Sequence, residues 1–130
     1  MTVATLVARI FSVGLLIIGI SHLLQAGLWR SFFITIKRTG FAGFIIAMFT
    51  LPQGLLIALG HNIWVLGIPV IITFFGWAMI LKSVIYLLFP EKANASIPEG
   101  PESHKKYALV GALMIPVSIL LIWHSFFRAQ

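Results

Sequence analysis

The chain has 130 residues, 60% of them hydrophobic and 9% charged, and no cysteine. A soluble domain carries about 25% charged residues, so a soluble globule is excluded, and without thiols so are disulfides, thiol catalysis and cysteine-held metal clusters. The net charge of +6 comes mainly from two short basic segments, a pattern that fits the positive-inside rule of membrane proteins better than a nucleic-acid surface.

A membrane-crossing helix needs about 20 apolar residues. Residues 10–29, 39–81 and 107–127 carry no Asp, Glu, Lys or Arg, and the middle run is too long for one crossing. The pattern predicts a single all-α domain, a bundle of four transmembrane helices over residues 8–28, 40–59, 68–89 and 107–127. Arg9 and the apolar run after it resemble the start of a signal peptide, but the run continues through Leu28 to Trp29, as a retained span does. From Trp29 to Arg38, Phe and Ile mix with Arg and Lys, a composition suited to the membrane surface. Pro52 lies inside the second span, where a membrane bundle tolerates it. Gly60-His61-Asn62 marks a turn. The third span opens with Pro69 in its first turn, where the missing N–H costs little, and stops before Pro90. Residues 90–106 form the one polar loop, with all three glutamates. Pro116 sits inside the fourth span.

Loops 29–39 and 90–106 hold Arg30, Lys37, Arg38, Lys92, Lys105 and Lys106, against Arg9 and Arg128 on the other side. This asymmetry predicts a multi-pass protein of a bacterial inner membrane, with both loops cytoplasmic and both termini periplasmic. Trp29, Tyr86 and Tyr107 then fall at the inner boundary, and Trp64 and Trp123 at the outer one.

Helices in lipid associate by close backbone approach through small residues. Each span carries a small-residue stripe, and the glycines Gly19, Gly43, Gly54, Gly76 and Gly111 are the expected packing positions. Large residues such as Phe75 are expected to face lipid, and Trp77 to pack within the bundle.

Intramembrane polar groups are the candidates for chemistry, because they are costly there. His22 lies on the stripe of Ser12 and Gly19 and is expected to face the bundle, with Gln25 and Gln53 on or beside the same interior. Lys82 is near the cytoplasmic end of its span, where its ammonium can reach the headgroups. These four are the candidate ligand-binding residues. His61 and His124 share the outer side, but two histidines without further ligands are a weak metal signal. No catalytic residues, metal ligands or cofactor are expected.

His61-Asn62-Ile63-Trp64, Pro69, Gly76-Trp77, Lys82 and Tyr86-Leu87-Leu88-Phe89-Pro90 together resemble a pattern of small bacterial four-helix integral membrane proteins with no assigned activity. Gly19-Ile20-Ser21-His22-Leu23-Leu24, followed by Trp29 and Phe32-Phe33, fits the same group. The cadence of the first helix is more distantly similar to DoxX-type four-helix proteins. The acidic residue those proteins often carry in the second helix is absent, so no function carries over.

These observations lead to the expectation of a non-catalytic accessory or interaction subunit of a membrane assembly. Its partners would be the lipid bilayer and other membrane proteins or a second copy, with no nucleic acid. The alternatives are a binder or carrier of a quinone or lipid near His22 and Gln53, or a subunit in membrane redox chemistry. An interhelical cavity with a polar lining favours the binder; a solid interior favours the subunit.

Overall fold

The computed structural model describes residues 1–128. Its helices are α1 (Val3–Leu24), α2 (Ala26–Thr39), α3 (Ala42–Gly60), α4 (Ile68–Leu88), α5 (Pro90–Ser96) and α6 (His104–Trp123), the last running on into a π-helical turn, His124–Arg128. No strand occurs among the described residues. Four helices are long and apolar enough to cross a membrane: α1, α3, α4 and α6 with its π-helical turn.

Local chemistry sets the helix ends. Thr2 caps α1, its hydroxyl accepting from the Thr5 N–H at 3.1 Å, which satisfies one of the free donors of the first turn. Gly40, at φ 80°, closes α2, its N–H returning to the Lys37 carbonyl at 3.1 Å. That left-handed conformation is open to glycine at little cost. Pro69 lies in the first turn of α4. Pro52 and Pro116 both stay inside continuous helices.

The largest departures from the expected bounds are at the end of the first crossing and in the polar loop. The first crossing stops at Leu24, not Leu28: Gln25 (φ −121°, ψ 37°) breaks the helix and α2 begins at Ala26. The reason is the change from an all-apolar to an amphipathic stretch. α2 buries Ala26, Ile34 and Ile36, and it tethers the polar loop with its basic side chains. Arg30 donates to the Glu99 and Gly100 carbonyls at 2.9 and 3.1 Å and to the Ser103 hydroxyl at 2.6 Å. Lys37 donates to the Ile97 carbonyl at 2.9 Å and pairs with Glu99 at 3.5 Å. The polar loop is also not wholly irregular. Its first part is α5, whose Ala93 is fully buried.

The bundle is built from two antiparallel pairs, α1 against α6 and α3 against α4, which make the most extensive helix contacts. Small residues set the spacing. A Cβ built on Gly111 would stand 2.5 Å from the Gly19 carbonyl oxygen, and one on Gly54 would stand 3.0 Å from the Gly76 carbonyl oxygen. At Gly43 it would stand 2.9 Å from the Tyr86 carbonyl oxygen. Hydroxyl side chains join the helices of each pair. Thr50 and Ser83 meet at 2.6 Å across α3 and α4, and Ser12 and Ser125 lie 3.5 Å apart between α1 and the π-helical turn. Arg9 ties the same junction, donating to the Ser125 carbonyl at 3.1 Å with its guanidinium 4.7 Å from the centre of the Phe126 ring.

Candidate functional site

Contacts between the two pairs are sparser than those within them. Between the pairs lies a cleft of about 360 Å³. α1 lines one wall with Val7, Phe11, Leu15 and Ile18; α3 supplies Gln53, Leu56 and Ile57; Phe75, Met79 and Met114 complete it from α4 and α6. From Val7 to Ile18 the wall is about 16 Å long at the helical rise of 1.5 Å per residue. Gly14 also lines it, and a Cβ added there would meet nothing within 4 Å. No charged side chain is among the lining residues, and Gln53 alone among them carries an amide.

Gln53 lies seven residues before the end of α3, about 10 Å along the helix at that rise. Its side chain makes no hydrogen bond to any described residue. Phe75, expected to face lipid, is exposed and also borders the cleft, its ring 5.6 Å from that of Phe11. Trp77 is not packed inside the bundle: the residue is 43% exposed, and its indole N–H donates to Asn62 at 3.2 Å. The same Asn62 oxygen accepts from Trp64 at 2.7 Å, so one amide holds both indoles at the α3–α4 turn.

The other candidate residues do not share the cleft. His22 is buried at the opposite end of α1. Its Nδ1 is 2.9 Å from the Ile18 carbonyl oxygen. A carbonyl only accepts, so Nδ1 is the donor in this bond. The imidazole stacks on Trp29 at 4.1 Å between ring centres, and Trp29 donates to the Ser21 hydroxyl at 2.9 Å. Phe33 and Tyr107 extend the cluster, their rings parallel within 6° at 5.4 Å. Gln25 is exposed at the α1–α2 break and borders a shallow groove with Trp29 and Phe32. Lys82 is exposed on α4, its ammonium 5.5 Å from the Tyr86 ring centre. That direction runs toward the basic end of the bundle, as snorkelling requires.

At the other end, Thr73 organises the turn between α3 and α4. Its hydroxyl donates to the His61 carbonyl at 2.6 Å and accepts from the Ile63 N–H at 3.0 Å. Having one proton, already committed, it also accepts from His61 Nδ1 at 3.1 Å. Burial holds the His61 pKa below its ordinary value of 6.5, a hydrogen bond with its own backbone works the other way, and the charge of His124 again opposes protonation. Among the described residues no group of three His, Asp or Glu side chains is placed to hold a metal.

The cleft itself was not legible in the sequence. Val7, Phe11, Leu15, Phe75 and Met114 are ordinary apolar residues of their helices, and only their convergence makes a site. Gln53 was the one signal available. No protein-family model, characterised protein or solved structure matches the chain.

Proposed function

We propose that this protein binds or carries a small lipophilic molecule in the cleft between its two helix pairs. The cleft is the observation that carries the reading. Its volume of about 360 Å³ falls in the range of ligand sites, roughly 300–1,000 Å³. Its walls are apolar with one polar group, the composition of such sites. Each helix pair is closely packed within itself, so the opening lies where the pairs face each other. An accessory subunit needs no such opening. The arrangement is best served by a bacterial inner membrane, with the basic end cytoplasmic and the termini outside, because six basic residues lie at one end and two at the other.

The test is retention of a ligand on purification. Protein purified in mild detergent is extracted and its lipids are identified by mass spectrometry. Wild type retains a near-stoichiometric lipophile. Gly14→Phe, whose ring occupies the open space beside Gly14, loses it while keeping the same helical circular dichroism. Equal retention by the two proteins overturns the reading.

A further inference from the structure

We infer that the cleft selects an uncharged lipid bearing a carbonyl or hydroxyl group, and that the Gln53 side-chain amide is its hydrogen-bonding partner. The inference rests on the reading of the cleft as a lipid site and adds the chemical class of its occupant.

The Gln53 amide lies within a span, where the bilayer supplies hydrocarbon. Without a partner there, a polar group costs several kcal/mol, because no water replaces the lost bond. The hydroxyl side chains within the spans, and His22, have hydrogen-bond partners on the protein. Ser12, Thr50, Thr73, Ser83, Ser118 and Ser125 each bond a backbone carbonyl of their own or a neighbouring element. His22 bonds the Ile18 carbonyl, and Ser21 accepts from Trp29. Gln53, an exposed residue of the α3 span, has no such bond among the described residues and borders the cleft. Its place about 10 Å inside the end of α3 puts it below the headgroups.

The surroundings limit what can satisfy it. Arg9 is the cation on the α1 stretch that forms the wall, and its guanidinium is taken up by the Ser125 carbonyl and the Phe126 ring. No lining residue is charged. An anionic headgroup would therefore lose its hydration at Gln53 and meet no counter-charge. An amide both donates and accepts, so a neutral carbonyl or hydroxyl satisfies it. The wall of about 16 Å accommodates an attached apolar chain.

The rival occupant is a second copy of this chain, since polar side chains in lipid also bond across helices. The experiment separates the two. Protein in nanodiscs is photolabelled with matched probes carrying a diazirine near the chain end: a long-chain alcohol, the corresponding alkane and the corresponding fatty acid. The labelled peptides are read by mass spectrometry. Expected for wild type is labelling of the α1 and α4 cleft peptides by the alcohol, about tenfold above the alkane and the fatty acid. Gln53→Leu brings the alcohol down to the alkane's yield, Gln53→Asn restores part of the difference, and Gly14→Phe removes the labelling by all three probes. If no probe labels the cleft in wild type, the cleft reading itself fails. If the alcohol and alkane label equally, or Gln53→Leu leaves the alcohol unaffected while Gly14→Phe still blocks it, the cleft stands and the role of Gln53 is overturned. If Gln53→Leu converts a dimer into a monomer by native mass spectrometry without changing the labelling, the partner of Gln53 is a second copy, and the inference is again overturned.

Discussion

Gly111 and Gly19 cross so closely that a Cβ on Gly111 would sit 2.5 Å from the Gly19 carbonyl oxygen, 2.6 Å from the Leu23 nitrogen and 2.9 Å from the His22 Cβ. Two of the three neighbours are backbone atoms of α1, which cannot rotate away. Gly111→Ala therefore forces α1 and α6 apart, at a cost of about 1–3 kcal/mol, the ordinary range for overpacking. Gly14, on the same helix α1, has open space where a Cβ would go. There the helix propensity of alanine acts alone and Gly14→Ala stabilises by up to about 1 kcal/mol. Thermal unfolding in detergent, followed by circular dichroism, should give opposite signs for the two variants. A shared sign would refute the packing assignment.

His22 and Trp29 link α1 to α2 through stacked rings and the bond from Trp29 to Ser21. Trp29→Phe keeps a ring and loses the indole donor. Membrane hydrogen bonds average about 0.6 kcal/mol, so the loss should be small. Trp29→Ala removes the stack as well, and aromatic pairs contribute about 0.5–1.5 kcal/mol beyond area burial. His22→Gln keeps an amide donor for the Ile18 carbonyl and should remain folded with a modest loss. Detergent melting curves check the order: Trp29→Ala lowest, with Trp29→Phe and His22→Gln near wild type.

Acid should weaken the turn between α3 and α4. His61 has its pKa held below 6.5 in the folded protein, whereas the unfolded chain titrates near that ordinary value. Below about pH 7 the unfolded state therefore binds more protons than the folded one, and stability falls as pH drops. The loss begins near 6.5 and levels off below the lowered folded pKa; above pH 7 this group adds no slope. Melting midpoints recorded from pH 8 to pH 5 should show the fall in wild type and a smaller one in His61→Gln. Identical slopes would mean that other groups carry the acid response.

Orientation can be read with reporters. The proposed arrangement puts the C-terminus in the periplasm, so a periplasm-dependent reporter fused after Phe127 should be active and a cytoplasm-dependent one silent. Replacing Lys37 and Arg38 by glutamine removes two of the six basic residues of the inner segments and should increase the fraction with reversed orientation. Activity from the cytoplasmic reporter in wild type would invert the assignment.

Hydropathy alone carried the four crossings, because insertion depends on local transfer free energies summed along a segment. Helix faces were legible for a related reason. Small residues recur at helical spacing, and Ala8, Ser12, Gly19 and His22 on α1, like Gly43, Ala47 and Gly54 on α3, are buried together. The break at Gln25 was missed because apolar residues continue past it; beyond it the amphipathic α2 is tied to the 97–103 segment by Arg30 and Lys37. The short α3–α4 turn implies that those two helices are neighbours. The partnership of α1 with α6 is not local: every crossing offers a small-residue face, so the pairing that wins depends on how Gly19 fits Gly111 and Gly54 fits Gly76. Tertiary structure alone decided it, and with it the cleft, since the gap beside Gln53 exists only because backbone contact is close within each pair and not between them.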